Sequence, residues 1–250
     1  MSKPKMKNIK KAKNIIKNSE NVVVFTGSGI STESGIPDFR SPGGLWEKYD
    51  PYVYANYDMF LKDPEKYWEL EREVTKMVEP ALPNPAHKAL VTLEQKGKLK
   101  GIITQNIDML HQKAGSEVPI YELHGSAMTA TCVDCETKFK REEILEQLEE
   151  RKTPVCSECD GRVKFDVILF HEALPMHTLM GAQEITTDSD CFLVIGSSLV
   201  VSPANQLPIL AKQSGAKVII LNLEETQMDE VADVIIHGKA GEIMPKLVNF

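Results

Sequence analysis

Two pairs of cysteines, Cys132 with Cys135 and Cys156 with Cys159, repeat a Cys-X2-Cys spacing with 20 residues between the pairs. Each knuckle can turn both sulfurs toward one ion, so the four thiolates would close a tetrahedron around zinc. Four protein ligands leave no position for water, and the metal is therefore expected to be structural. Redox disulfides are the competing reading; two equivalent short pairs in a chain without an export signal argue against them. Gly161 follows the second pair as a turn residue would, and the fifth cysteine, Cys191, opens an apolar run and reads as a buried core thiol.

A second set of residues points to a nucleotide. The apolar run Val22–Thr26 empties into Gly27-Ser28-Gly29, expected to open a helix, the arrangement in which unpaired backbone N–H groups face a pyrophosphate. A Gly-X-Gly alone also serves tight turns that bind nothing. A dehydrogenase fingerprint would place a third glycine at Thr32, so the spacing leans away from hydride transfer. Asp38, Phe39 and Arg40 then set an acid, a ring and a guanidinium just past the turn. Asn106 and Asp108 leave the carboxyl end of a strand, where open α/β sheets bind ligands, although turn capping is their other common use. His124 directly follows the apolar run Ile120–Leu123; an imidazole suits proton transfer at neutral pH, and a satisfied polar residue at a strand end is the bland alternative.

These side chains need a scaffold. At 250 residues, 42% hydrophobic and 26% charged, the chain can bury one sizeable core and a small satellite module. Its net charge of −7 argues against general nucleic-acid affinity. Met1 to Asn18 is lysine-rich without an uninterrupted apolar stretch, so neither signal peptide nor membrane span is read there. Ile9, Ala12, Ile15 and Ile16 recur instead at helical spacing. Leu99–Thr104, Ile120–Leu123, Phe165–Phe170, Phe192–Ile195, Lys217–Leu221 and Val234–Ile236 read as strands buried on both faces, alternating with helices. The expected class is α/β: a Rossmann-like, doubly wound parallel sheet with a smaller domain made from two insertions. The first insertion, 41–83, contains the helix start Asp63-Pro64, with Tyr67, Leu70, Val74, Met77 and Val78 on one face; the second, 131–163, carries the cysteines and a charged helix from Arg141 to Arg151. The sheet domain takes 1–40, 84–130 and 164–250, with a helix opening at Asn84-Pro85 and ending near Gly97.

Gly27-Ser28-Gly29-Ile30-Ser31 with Ile36-Pro37-Asp38-Phe39-Arg40, Thr104-Gln105-Asn106-Ile107-Asp108, Leu123-His124-Gly125, the cysteine pairs, Gly196-Ser197-Ser198-Leu199 and Leu221-Asn222 occur in one order. That series resembles the sirtuins, NAD-dependent protein-lysine deacylases, over nearly the whole chain. The resemblance implies that NAD is consumed: the acyl-lysine carbonyl attacks the ribose carbon that carried nicotinamide, and the resulting alkylimidate collapses to lysine and O-acyl-ADP-ribose. Such an oxocarbenium-like transition state needs a dry pocket and a positioned carbonyl. It implies His124 as the general base and Asn106 as the residue that orders ribose and a water. Asp108 and Ile107 would hold the nicotinamide carboxamide, and Gln105 the ribose. Phe39 would shield the reactive carbon, and Arg40, with Asp38, would hold cofactor or order the loop; a core Phe and a surface Arg are the alternatives. Gly27, Ser28, Gly29, Ser31, Thr32, Gly196, Ser197 and Ser198 would line the phosphates, although Ser197 and Ser198 also suit a helix cap. Asn222, with Glu224, would bind the adenosine ribose, and Ala240 would lie near adenine. His111 resembles a structural family position, and His87, His177 and His237 carry no comparable context.

For the acyl-lysine protein or peptide, the resemblance implies an added strand gripped by Val167, Phe170, His171 and Glu172 on one side and Val200 and Val201 on the other. Four residues depart from the family's usual choice: Ser28 for Ala in the phosphate loop, His171 for Gly where the peptide approaches, and Ser202 and Asn205 for the commoner Tyr and Ala near the peptide loop. Members that remove dicarboxylic acyl groups carry a Tyr and an Arg three apart on the insertion helix. Trp68 and Glu71 stand at those offsets, so acetyl or a longer apolar acyl is expected, with Arg72 nearby. The alternatives are an ADP-ribosyltransferase or NAD glycohydrolase with altered peptide docking, and a zinc-ribbon module binding nucleic acid through Lys138, Lys140 and Arg141. The composition gives the expectation of a cytoplasmic enzyme of prokaryotic type that engages no membrane.

Overall fold

Nine strands and their helices build two units in a computed structural model that describes residues 6–40 and 42–250. The first five residues of the lysine-rich N-terminal stretch and residue 41, where the first insertion was set to begin, lie outside the described residues. The strands, in chain order, are β1 (Val22–Thr26), β2 (Leu99–Thr104), β3 (Ile120–Glu122), β4 (Gly125–Cys132), β5 (Lys138–Lys140), β6 (Val163–Val167), β7 (Cys191–Ile195), β8 (Lys217–Asn222) and β9 (Val234–His237).

The first unit comprises 6–38, 81–123 and 176–250. Its six strands lie in the order β3-β2-β1-β7-β8-β9, all parallel. Every residue of β1 and β7 is buried, as the runs of branched side chains require of strands covered on both faces. Alternate residues serve one face: Val22, Val24, Ile102, Leu193, Ile195, Ile219 and Leu221 join one core with the helices Met6–Asn18, Pro85–Gln95 and Ala240–Val248. The helices Met176–Thr187 and Leu207–Gln213 pack on strands of the same sheet. Each fully buried branched side chain contributes about 1.5–3 kcal/mol of transfer free energy. The predicted N-terminal helix presents Ile9, Ala12 and Ile16 to this core. The helix Pro85–Gln95 starts as its sequence signals: Asn84 Oδ1 accepts from Ala86 N at 2.8 Å, and Gly97 adopts a φ of +71° just past the end.

The second unit comprises 39–80, with 41 undescribed, and 124–175. Its sheet, β5-β4-β6, is antiparallel. Here one expectation is corrected: Phe165–Phe170 is no strand of the parallel sheet. Residues 163–167 form β6 and pair with β4, and 168–170 continue outside any strand. An apolar run reports burial but not which sheet receives it. The helix Pro64–Val78 is capped by Asp63, whose Oδ1 accepts from Glu65 N at 3.2 Å. It buries Tyr67, Trp68, Leu70 and Glu71, while Val74, Met77 and Val78 are only half-buried. Edge-on contacts run Phe60–Tyr67–Trp68–Phe165 at centroid spacings of 5.3, 4.9 and 5.2 Å, and Trp68 Nε1 donates to Val163 O at 3.1 Å. The charged segment predicted as helical forms Arg141–Glu150.

Candidate functional site

In the first unit the strand order changes direction between β1 and β7, which leave the centre of the sheet toward opposite edges. Open parallel sheets bind ligands outside the carboxyl ends of the strands at such a point. Residues 27–32 follow β1, 105–108 follow β2, 196–198 follow β7, and Asn222 ends β8. The parallel register aligns Thr26 with both Thr104 and Ile195, and Ile195 with Leu221, so these loops emerge side by side.

The glycine loop differs from expectation. No α-helix follows it; two short 3-10 turns, Ser28–Ile30 and Thr32–Ser34, take its place. Four of its N–H groups are already engaged: Gly27 N donates to Ile195 O (3.1 Å), Gly29 N to Gly196 O (2.9 Å), Ile30 N to Gly27 O (3.1 Å) and Ser31 N to Ser28 O (3.0 Å). The loop is therefore not an open row of amides. Its glycines are needed for close backbone approach instead: a Cβ on Gly27 would lie 2.7 Å from Gly196 O, and one on Gly196, whose φ is +62°, would lie 2.3 Å from Ile30 N.

Asn106 is held from both ends. Its N–H donates to Thr104 Oγ1 (3.0 Å), and its Nδ2 donates to Gly27 O (3.2 Å) and Ser31 Oγ (3.3 Å). Among the described residues its Oδ1 has no protein donor and is the group left to accept from a ligand. Asp108 accepts from Ser31 Oγ at 2.6 Å and Leu110 N at 2.9 Å. Ser31, predicted to touch cofactor, is thus fully buried and turned onto Asp108. Ser197 Oγ accepts from Gln105 Nε2 (2.9 Å) and Leu199 N (3.2 Å), and no helix starts there for it to cap. Thr32 Oγ1 donates to Gly29 O (3.1 Å), and Asn222 Nδ2 to Glu224 O (2.9 Å); Ser198 is exposed and Ala240 buried.

Behind these groups lies a layer of which the sequence reading reached only His111, expected to be structural, and Asn84, expected to start a helix. Thr26 Oγ1 lies 2.8 Å from Thr104 Oγ1 and 3.0 Å from His111 Nε2, and the His111 ring packs edge-on against His87 at 5.1 Å. Burial holds both imidazoles neutral, lowering His87 to about 4 against the pull of Asp108, and His111 to about 3. Glu33 Oε2 accepts from Gly241 N at 2.6 Å, putting its charge at the N-terminus of the helix Ala240–Val248. Asn84 Nδ2 donates to Ile30 O (2.7 Å) and Ser34 Oγ (3.0 Å). The Asn-Pro helix start was the available signal for Asn84; no local pattern announces the others.

The second unit holds the remaining candidates. His124 is half-buried, and its carbonyl accepts from Ile168 N at 2.9 Å. Gly125 must follow it: its φ is +72°, and a Cβ there would lie 2.0 Å from Asp166 O. This fixes His124 beside the segment 167–172. Phe39 stacks on Trp46 at 4.9 Å and accepts from Trp46 N at 3.0 Å, while Phe170 lies 6.5 Å from Trp46 and 6.0 Å from Tyr52. Arg40 is exposed, and Asp38, which belongs to the first unit, is half-buried. The buried Lys164 ammonium donates to Val167 O (2.7 Å) and pairs with Glu172 (3.2 Å), which also accepts from Leu169 N (2.8 Å). Val200 and Val201, in the first unit, are exposed and half-buried.

The four cysteine sulfurs lie within 4.8 Å of one another. Cys132 and Cys159 Sγ are 3.6 Å apart and Cys135 and Cys156 Sγ 3.5 Å, far beyond a disulfide bond and close to the edge of a zinc–thiolate tetrahedron. The knuckles are built alike: Glu136 N donates to Cys132 O and Asp160 N to Cys156 O, and Glu136 and Asp160, each four residues after the first cysteine, have φ of +63° and +56°. Gly161 is required for space, since a Cβ would meet Asp134 Oδ2 at 2.7 Å. Asp134 in turn forms an ion pair with Arg162, which holds its carboxyl down at about 2.

The profile of the Sir2 family matches residues 27–203. The chain belongs to that family. Similar Sir2 relatives include NAD-dependent protein deacylase 2 of Archaeoglobus fulgidus, 48% identical over 96% of this chain and 94% of that one, and the NAD-dependent protein deacetylase of Sulfurisphaera tokodaii, 43% identical over the same shares. A solved structure described as "Sir2-p53 peptide-NAD+" aligns with a TM-score of 0.88 at 38% identity, covering 96% of each chain. Another, of Sir2Af2 bound to a myristoylated histone peptide, aligns at 0.83 and 42%, covering 98% of this chain and 96% of that one. Membership in the Sir2 family fits a parallel sheet accompanied by a second, smaller sheet and a four-cysteine cluster. No helix among the described residues is long and apolar enough to cross a membrane.

Proposed function

We propose that this protein is an NAD-dependent protein-lysine deacylase that transfers the acyl group of an acyl-lysine to ADP-ribose and releases nicotinamide. The reading is carried by the gathering of Gly27–Thr32, Gln105–Asp108 and Gly196–Ser198 at the carboxyl edge of one parallel sheet in a Sir2-family chain. Relatives named as NAD-dependent deacylases and deacetylases support it.

Asn106 Oδ1, fixed by the two bonds of its amide nitrogen, accepts from a ribose hydroxyl or an ordered water. Asp108, with Ile107, takes the carboxamide of nicotinamide. Ser28, Thr32, Gln105, Ser197, Ser198 and Arg40 are the proposed phosphate and ribose contacts, and Asn222, Glu224 and Ala240 the proposed adenosine contacts. His124 takes the proton from a ribose hydroxyl as it attacks the captured acyl carbon. Phe39, stacked on Trp46, keeps water from the reacting carbon so that the acyl oxygen competes. Val167, Phe170, His171 and Glu172 in the second unit, and Val200 and Val201 in the first, are the proposed peptide contacts. One zinc ion on Cys132, Cys135, Cys156 and Cys159 would supply folding energy and no chemistry. Trp68 and Glu71, at the offsets used for dicarboxylic acyl groups, are both buried, and Arg72 donates to Lys152 O. Neither offset holds a cation for an acyl carboxylate, which supports acetyl or a longer apolar acyl group. We place the enzyme in the cytoplasm, on composition alone.

The test is nicotinamide release in the presence and absence of an acetyl-lysine peptide. Release is expected to require the peptide, and His124→Ala is expected to cut product formation by about 100-fold or more, in line with loss of a general base. Peptide-independent release together with ADP-ribose appearing on protein would favour a transferase and overturn the deacylase reading.

A further inference from the structure

His171 is the residue of the second unit that local rules explain least. Its φ is +74°, a left-handed conformation that is strained for a residue with a Cβ. The loop does not need the side chain to hold its course. On one side Phe170 is paired through both backbone groups, its N–H to Ala55 O (2.8 Å) and its carbonyl to Tyr57 N (3.0 Å). On the other, Glu172 closes onto Leu169 N and Lys164. Glycine would satisfy this backbone without strain. An imidazole kept at a strained, exposed position calls for a reason outside the fold.

The ring is also aimed. His171 Nδ1 lies 2.7 Å from Asp58 Oδ2 and 3.5 Å from Asn56 Nδ2, while both His171 and Asp58 side chains remain 59% exposed. Asp58 sits in the first turn of the helix Tyr57–Lys62, where a carboxylate is favoured. The ring holds the Asp58 carboxylate in place and leaves it more than half exposed, so a fixed acidic group adjoins the segment 167–172.

We propose that the Asp58–His171 pair is a specificity determinant that selects a basic side chain, lysine or arginine, flanking the acyl-lysine of the substrate. This rests on the deacylase reading, with the peptide main chain along 167–172. The Asp58 carboxylate, oriented by His171, accepts from the cationic N–H at a partly exposed site. Backbone pairing grips any sequence, so such a side-chain contact is where discrimination enters.

The experiment compares acetyl-lysine peptides identical except for one flanking residue, Arg, Ala or Glu, scanned on each side, with the wild type, His171→Gly and Asp58→Asn. The wild type is expected to show a KM about 5- to 10-fold lower for the best-placed Arg peptide than for its Glu counterpart, with similar kcat. In both variants that ratio is expected to fall to within about twofold. Ratios taken within one variant cancel any general change in activity, and an unchanged or higher unfolding midpoint for His171→Gly would separate selection from support of the fold. Equal KM values in the wild type, a preference for Glu, or an Arg preference that survives both substitutions would overturn this inference while leaving the deacylase reading intact. Failure to consume NAD with every peptide would overturn the deacylase reading and this inference with it.

Discussion

The two units are stabilised by different means. The first surrounds a parallel sheet, whose central strands β1 and β7 are fully buried, with helices, and its stability comes from a continuous apolar core of branched side chains. The second has a three-stranded sheet, a short aromatic series, the largely buried Lys164–Glu172 ion pair and four clustered thiols. A unit this small buries too little apolar surface to hold by core alone, and crosslinking by a metal is one of the few remedies open to it. The contrast also divides the labour: the residues proposed to hold NAD lie mostly on the edge of the parallel sheet, and the residue proposed for proton transfer and most of those proposed for peptide grip lie on the unit that carries the thiols.

Removing metal should break this contrast most visibly. Structural zinc sites contribute on the order of 10 kcal/mol of folding free energy. Treatment with a strong chelator is expected to render Cys132, Cys135, Cys156 and Cys159 reactive in a thiol assay while Cys191, buried in the sheet, stays protected. Equal reactivity of all five cysteines would mean that the sheet does not stand apart from the thiol cluster.

A smaller effect is expected from Trp68→Ala, which removes a fully buried indole and leaves Val163 O without its donor. A cost of about 3–5 kcal/mol is expected. It should appear as earlier exposure of the four clustered thiols in denaturant, with the protection of Cys191 unchanged.

The smallest effect concerns pH, and the units respond in opposite directions. In the first, His87 and His111 are depressed by burial to about 4 and about 3 from 6.5. The unfolded chain therefore binds more protons, so the stability they contribute is complete above about pH 6.5 and is lost as pH falls toward 3. In the second, burial raises Glu71 from 4.5 to about 7, opposed by Arg141 and Lys164. The folded unit here holds the proton more tightly, so stability falls as pH rises from about 4.5 through 7 and is level above. Glu71→Gln is expected to remove a decline of roughly 1–3 kcal/mol over that interval, read from thiol protection in denaturant at pH 5, 6, 7 and 8. An undiminished decline in the variant would show that another group carries it.

Much of this was legible in the chain because the relevant physics is local. Branched apolar runs marked the strands, Asp63-Pro64 and Asn84-Pro85 marked helix starts through their caps, and Cys-X2-Cys spacing brought four sulfurs together. What escaped depends on distant partners. Glu33 meets Gly241 across 208 positions of sequence, and Ser31 meets Asp108 only because β1 and β2 are neighbours. The glycine loop read as an amide nest, yet its N–H groups are engaged by Gly196 and by its own turns, an outcome set by the adjacency of β1 and β7. The run Phe165–Phe170 went to the wrong sheet for the same reason: a strand's pattern does not name its partner.

The central claim, that NAD is spent in removing an acyl group from lysine, is tested most directly by mass spectrometry of the products formed from NAD and an acetyl-lysine peptide. The account predicts O-acetyl-ADP-ribose, nicotinamide and deacetylated peptide in equal amounts. Free acetate with NAD left intact, or ADP-ribose with the peptide still acetylated, would contradict it.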